Sequence, residues 1–278
     1  MKTFKGRNIA KMTIVYALLF FFAALLMVPF FWLISASLKL DREVFTIPIQ
    51  WWPRNPVWSN YVDIWTRIPL LTFMQNTARL TLIITTLQLL TSSFAAYAFS
   101  KLRFAGRNVL FLAYIATIAI PWQVYMVPQF IMFRSMDLVN THMAMIILQS
   151  FSAFGVFLMK QFYDTIPEEL SEAARIDGMS EQKIWLRIML PLAKPALATL
   201  TIFTFVFVWN DFLGPRLYLT TQSLWTIQIG MRMFIGQFAS EFGLIMAIAT
   251  VSLIPILIVF LALQRFFVQG IATSGLKG

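Results

Sequence analysis

Residues 172–178 read EAARIDG, and Ile188, Leu190 and Pro191 follow a short distance further along the chain. This stretch is a polar island, because it carries acidic and small residues between two hydrophobic segments. Lipid is a poor environment for such a surface, since ionised side chains are costly to place in hydrocarbon. The segment is therefore predicted to point out of the bilayer and to contact a soluble protein partner.

The composition around this island is that of a multi-pass membrane protein. Of the 278 residues, 59% are hydrophobic and 12% are charged, whereas soluble domains average about 25% charged residues. Spanning helices need roughly 20 apolar residues. Six runs reach or approach that length: residues 12–38, 80–100, 108–133, 138–159, 195–210 and 242–264. The predicted fold class is all-α, a polytopic membrane protein with six transmembrane helices in a single domain over residues 1–278.

The lysines and arginines are distributed unequally between the two faces that these runs define. One face holds both termini and carries 14 of them, and the other face carries 7. Loops rich in lysine and arginine remain in the cytoplasm. We therefore expect a protein of the cell membrane whose termini are both cytoplasmic, together with a cytoplasmic helical loop over residues 164–191.

Charge and cysteine content exclude several function classes. The net charge of +10 lies in short loops beside the spans rather than in a basic stripe, so no nucleic-acid partner is predicted. The chain has no cysteine, which excludes disulfides, thiolate catalysis and cysteine-based metal sites. His142 is the single histidine, and an interfacial position is favoured for it over metal ligation. We predict no catalytic residue and no metal site.

The polar loop has the signals of two short helices. Pro167 suits the first turn of a helix, and Gly178 suits its left-handed C-terminal cap. Ser180 can begin a second helix that runs through Leu190 and that Pro191 terminates.

The first of these helices offers a flat face to a partner. Leu170, Ala173, Ala174 and Asp177 share one face at helical spacing, and the alanines leave room for close approach. The alternative interpretation is a solvated helical hairpin with no partner, and local properties alone leave it open.

Three segments carry a resemblance to a known family. The spacing of Glu172–Ala174, Asp177–Gly178 and Ile188–Pro191 resembles the EAA loop in permease subunits of binding-protein-dependent ABC importers. The WNDF sequence at Trp209–Phe212 and the tail Gly275–Gly278 are similar to the carbohydrate branch of the maltose and multi-sugar type. With six predicted spans, the chain is similar to the shorter of the two membrane subunits.

The resemblance implies a fold, a mechanism and a set of partners. The fold is that of type I ABC importer permeases, and the mechanism is alternating access for a sugar or oligosaccharide. The implied partners are a homologous second permease, an ATPase dimer and an extracytoplasmic solute-binding protein. No enzyme activity and no cofactor belong to this chain, because ATP and Mg²⁺ would bind the ATPase. The residues implied in ATPase coupling are Glu169, Leu170, Glu172, Ala173, Ala174, Asp177 and Gly178.

A self-sufficient secondary transporter or channel is the competing function. The chain lacks the GxxxxGK[ST] phosphate-binding loop, so ATP can act only through a partner. An ion-coupled transporter usually places ionisable groups near the middle of the bilayer. Arg79, Asp211 and Glu241 all fall near the outer ends of their predicted segments, which favours the importer.

The substrate path is expected where polar and aromatic groups meet a break in a span. Pro121 and Pro128 lie within the third run, and prolines in a spanning helix free backbone carbonyls. The third run is either a kinked helix lining a polar path or a bent helix packed on its neighbours. A neutral sugar needs aromatic faces and amides, although aromatic side chains also serve packing and lipid contact. The candidates are Trp122, Gln123, Tyr125, Gln149 and Asn210.

Overall fold

The computed structural model describes residues 2–236 and 241–274, and the side chains of residues 11–235 and 241–266. The tail Gly275–Gly278 lies outside these ranges. No β-strand occurs among the described residues, so the all-α prediction is confirmed. The chain forms two compact units: one comprises residues 1–69 and 231–253, and the other comprises residues 70–230 and 254–278.

The first unit is built on the long helix α1 (Lys2–Ser37), followed by the short helices α2 (Asp41–Val44) and α3 (Asn60–Thr66). The side chain of Asn60 donates to the carbonyls of Ser37 and Lys39 at 2.9 and 3.1 Å. Asn60 thereby fixes the chain where it leaves α1.

The second unit contains every residue proposed above for function. Its helices begin with α4 (Leu70–Lys101), α5 (Arg107–Ala116), α6 (Trp122–Ser135), α7 (His142–Gln149) and α8 (Ala153–Tyr163). There follow α9 (Glu169–Ile176), α10 (Glu181–Ile184), a π-helical segment (Trp185–Met189), α11 (Leu190–Leu192), α12 (Lys194–Trp209) and α13 (Leu213–Tyr218). Helix α14 (Ile227–Gly236) begins in the second unit and ends in the first, and α15 (Phe242–Ser274) begins in the first unit and ends in the second.

The spans agree with the predicted six once two bent pairs are each counted as one. Four stretches are long and apolar enough to cross a membrane: Lys11–Ser37, Leu70–Lys101, His142–Tyr163 and Phe242–Phe266. The two bent pairs are Arg107–Ala119 with Trp122–Ser135, at 98°, and Glu181–Leu192 with Lys194–Trp209, at 80°. In the second pair, Lys194–Trp209 corresponds to the predicted fifth span, whereas Glu181–Leu192 lies almost wholly in the predicted loop.

Only one of the two prolines in the third run bends it. Ile120 has the extended backbone (φ −92°, ψ 107°) that a following proline imposes, and α6 begins directly after Pro121. Pro128 lies inside α6 without ending it.

Helix α4 begins ten residues earlier than the apolar run that predicted it. The two buried polar residues of this extension, Asn76 and Thr77, are hydrogen bonded within the unit. Asn76 donates to the carbonyls of Ser223 and Trp225 at 2.8 and 3.0 Å, and the hydroxyl of Thr77 accepts from the amide of Ile227 at 2.9 Å. Hydropathy alone placed the start of this helix too late, because it cannot count such partners.

Helix α4 packs against both α8 and α12. The buried polar residues of α4 include Thr77, Thr81, Thr85, Gln88 and Ser92, and all of these except Gln88 are small. Small residues let membrane helices approach closely. At Gly155 on α8, an added Cβ would lie 2.4 Å from the Ser92 hydroxyl oxygen.

We expect Gly155→Ala to lower the free energy of unfolding by about 1–3 kcal/mol, because the new methyl group overpacks this contact. In a Ser92→Gly background the same change should raise stability by up to about 1 kcal/mol, the helix propensity difference between alanine and glycine. Denaturant titrations in detergent micelles measure both values. Equal losses in the two backgrounds would contradict the close packing of α4 on α8.

Candidate functional site

The inner side of α9 is packed onto its own chain. Ser171 and Ala174 are 0% and 5% exposed, and Ala174 belongs to a buried cluster with Tyr163, Ile166 and Ile184. An eight-residue helix is too short to be stable alone in water. This packing therefore holds α9 in place.

The outer side of α9 is a continuous exposed face. It consists of Glu169, Glu172, Ala173 and Ile176, which follow the i, i+3, i+4, i+7 spacing. Ile176 is 86% exposed and was not among the predicted residues, although the same spacing counted from Glu169 could have found it. We call these four residues the outer face of α9.

The remaining predicted coupling residues lie around this face rather than on it. Leu170 is 45% exposed at its edge, and Asp177 and Gly178 are exposed at the end of the helix. Ala174 was predicted to share a face with Leu170, Ala173 and Asp177, but it points into the core and is not accessible. Of the four residues that periodicity grouped, Leu170, Ala173 and Asp177 are exposed and only Ala174 is buried.

Gly178 ends α9 in the predicted left-handed conformation, with φ of 76°. The amide of Gly178 donates to the carbonyl of Arg175, and the amide of Met179 donates to the carbonyl of Ala174, both at 3.0 Å. These two bonds form a Schellman motif. They satisfy carbonyls at the end of α9 and turn the chain towards α10.

The second half of the loop begins as predicted but ends differently. Ser180 precedes α10, whereas Pro191 does not end the helical segment, which reaches Leu192. The prediction was wrong because a π turn intervenes, in which the amide of Leu190 donates to the carbonyl of Trp185. Pro191 then lies in the first turn of α11, where its missing N–H is tolerated.

Two cationic side chains join the loop to the end of α4. The Arg175 Nε donates to Glu181 Oε1 at 2.7 Å, and its Nη2 donates to the Lys101 carbonyl at 3.3 Å. The Lys101 Nζ donates to the Ile166 carbonyl at 2.6 Å. Arginine is charged at physiological pH, and the hydrogen bond with Glu181 raises the pKa of Arg175 further.

The candidate path residues on α6 separate into two environments. The Trp122 indole donates to Gln129 Oε1 at 2.7 Å and packs against the buried cluster that contains Met145. Gln123 and Tyr125 are exposed instead. Either lipid or another subunit can cover these two residues.

Gln149 and Asn210 are both hydrogen bonded within the second unit. Gln149 Nε2 donates to Asp211 Oδ2 at 2.6 Å, and Asp211 Oδ1 accepts from the amide of Gly214 at 3.2 Å. Asn210 Nδ2 donates to the carbonyl of Val206 at 2.8 Å. Asp211 is thus held by neutral donors and was missed as a partner of Gln149, since 62 residues separate the two.

A family model supplies the decisive comparison. Residues 88–273 match the binding-protein-dependent transport system inner membrane component, a range that contains the loop and all the candidate path residues. The chain belongs to this family. It is therefore a transport permease and a multi-pass protein of the cell membrane.

Relatives in this family match the chain over most of their length. The arabinooligosaccharides transport system permease protein AraQ of Halalkalibacterium halodurans is 33% identical over 261 residues, which are 93% of this chain and 94% of AraQ. The melibiose/raffinose/stachyose import permease protein MelC of Bacillus subtilis is also 33% identical, and the match covers 90% and 91% of the two chains.

A solved structure agrees with the family assignment. It is a chain of a bacterial ABC transporter involved in the import of the acidic polysaccharide alginate. The TM-score is 0.80 with 26% identity, and the match covers 92% of this chain and 95% of that chain. The expected type I importer permease fold is confirmed.

We expect Gly178→Ala to lower the stability of the capped end of α9 by about 1–2 kcal/mol, because a side chain is disfavoured in the left-handed region. Gly178→Asn should cost less, since asparagine tolerates this conformation. The readout is hydrogen exchange at the amide of Met179, which should lose protection about 5- to 30-fold in the alanine variant.

The control is Gly106→Ala, at another left-handed glycine with open space around it. This substitution lies outside the loop and should leave exchange at Met179 unchanged. Equal protection in Gly178→Ala and the unmodified chain would show that the cap does not hold the end of α9.

Proposed function

We propose that this chain is the membrane-spanning subunit of an ATP-driven importer that moves a sugar or oligosaccharide into the cytoplasm by alternating access. A separate ATPase hydrolyses ATP and drives the change of access through the loop at residues 164–191. ATP and Mg²⁺ bind that ATPase. The complex also contains a homologous second permease and an extracytoplasmic solute-binding protein.

The outer face of α9 is the observation that carries this proposal. An isoleucine that is 86% exposed lies beside two glutamates and an alanine on a helix whose opposite side is buried. A solvated hairpin gives no role to this combination. The outer face of α9 fits a groove on the ATPase that has apolar side chains beneath Ile176 and basic side chains beside Glu169 and Glu172.

The relatives support a substrate rich in hydroxyl groups. AraQ and MelC are named for arabinooligosaccharides and for melibiose, raffinose and stachyose, which are all carbohydrates. The candidate path residues Trp122, Gln149 and Asn210 offer an aromatic ring and two amides, and these groups suit a neutral sugar. The substrate is therefore a sugar or a short oligosaccharide.

The competing secondary transporter or channel is less consistent with the site. The acidic residue Asp211 contacts the candidate path residue Gln149, and it accepts from the side chain of Gln149 and the amide of Gly214. The hydrogen bond that Asp211 accepts from the amide of Gly214 caps the start of α13. This role accounts for the carboxylate without ion coupling.

We expect Ala173→Arg and Ile176→Glu to weaken binding of the ATPase about 10- to 100-fold, since overpacking costs about 1–3 kcal/mol at a close contact. Both positions are exposed, so neither substitution should change the thermal stability of the membrane subunit. The measurement is the amount of ATPase that co-purifies with the two permeases, together with uptake into proteoliposomes.

Gln182→Arg is the matched control, because Gln182 is exposed in the same loop but lies on α10. It should keep normal ATPase binding and uptake. If Ala173→Arg and Ile176→Glu also behave normally, the loop is a solvated hairpin and the coupling function is refuted.

We expect the termini and the loop to face the cytoplasm, as the distribution of lysine and arginine predicts. Single cysteines can replace Arg103, Lys183, Trp51 and Ser223, which are all exposed, in this cysteine-free chain. An impermeant thiol reagent applied to intact cells should label only the positions of Trp51 and Ser223. Labelling at Lys183 would reverse the proposed orientation.

A further inference from the structure

Glu181 occupies a junction between the coupling loop and a spanning helix. Its carboxylate accepts from Arg175 of α9 at 2.7 Å and from the hydroxyl of Tyr97, which lies one turn before the end of α4. Tyr97 is 2% exposed, so its hydroxyl reaches the loop from inside the packed unit. Three helices therefore meet at one carboxylate: α4, α9 and α10.

The neighbouring contacts strengthen this junction. Arg175 also donates to the carbonyl of Lys101, and the buried side chain of Lys101 donates to the carbonyl of Ile166 at 2.6 Å. Hydrogen bonds with a charged partner are stronger than neutral ones. The loop is thus held to the end of α4 at the segment before α9, at the end of α9 and at the start of α10.

Chain connectivity alone would not join the loop to α4. The loop is covalently continuous with α8 on one side and with α12 on the other, whereas Tyr97 and Glu181 are 84 residues apart. Helix α4 in turn packs against both α8 and α12. A contact between the loop and α4 therefore gives a displacement of the loop a third route into the spanning helices, beside the covalent connections to α8 and α12.

We propose that Glu181, with Tyr97 and Arg175, is a positioning residue that makes the loop and α4 move as one body when the ATPase changes state. We call these three residues the brace. The inference rests on the proposed coupling function and names the route by which motion enters the membrane. The outer face of α9 binds the ATPase, and the brace transmits the displacement to α4.

The test measures the distance between α4 and α10 in the assembled complex. Nitroxide labels are placed on Leu82→Cys and Gln182→Cys, both at exposed positions, in a complex whose other subunits lack cysteine. Leu82 lies 15 residues before Tyr97, or about 22 Å along the helix. Pulsed electron paramagnetic resonance gives the distance without nucleotide and with a non-hydrolysable ATP analogue.

With the brace intact, the distance should be the same in both states, because α4 and α10 move together. In Tyr97→Phe and in Glu181→Gln it should shift when the analogue binds, while the ATPase still co-purifies. Exchanging the charges, Arg175→Glu with Glu181→Arg, restores the ion pair and should reduce the shift. A purely structural defect would change the distance equally in both states.

Arg103→Gln is the matched control. Arg103 also pairs with the loop, at Glu168 and 2.9 Å, but its side chain is 80% exposed, and exposed pairs contribute little. It should leave the distance constant. An unchanged distance in both brace variants, with the ATPase bound, would overturn the brace alone. Failure of the unmodified complex to retain the ATPase would overturn the coupling function and the brace with it.

Discussion

Hydrocarbon offers no water to a backbone amide or carbonyl, so each backbone polar group in a spanning segment must find its partner inside the protein. This constraint is most severe where a span is interrupted, as it is between α7 and α8. There the side chain of Gln88 donates to the carbonyl of Gln149 at 3.0 Å, and the hydroxyl of Thr91 donates to the carbonyl of Ser150 at 2.7 Å. The polar groups of α4 are what permit the break.

The same constraint explains why α4 is the helix on which the second unit is organised. Near its N-terminal end, Asn76 and Thr77 form hydrogen bonds with the backbone groups of Trp225 and Ile227. In its middle, Gln88 donates to the carbonyl of Gln149 at the break and also accepts a hydrogen bond from Thr204 of α12. At its C-terminal end, Lys101 and Tyr97 bind the loop. A single helix thus contacts both the interrupted span and the loop at residues 164–191, and in the proposed function it connects the ATPase to the substrate path.

Sequence alone predicted the features that depend on neighbours along the chain. Apolar runs located the spans, the third run bends at Pro121, and Gly178 took the left-handed cap. The early start of α4 was missed because Asn76 finds its partners almost 150 residues away. Periodicity gave the residues of each α9 face without showing which face is buried, so Ala174 was misplaced and Ile176 overlooked. Both errors concern tertiary contacts.

The shortness of α9 makes the shape of its outer face depend on the packing of the second unit. Eight residues do not form a stable helix unaided, so the outer face keeps its shape only while Ser171 and Ala174 stay packed and Gly178 closes the end. Each of these supports comes from the same unit that contains α4, α8 and α12. A partner that binds the outer face therefore binds a surface whose order depends on the spans. Because linkage is reciprocal, a change in those spans must alter the affinity for the partner as much as the partner alters the spans.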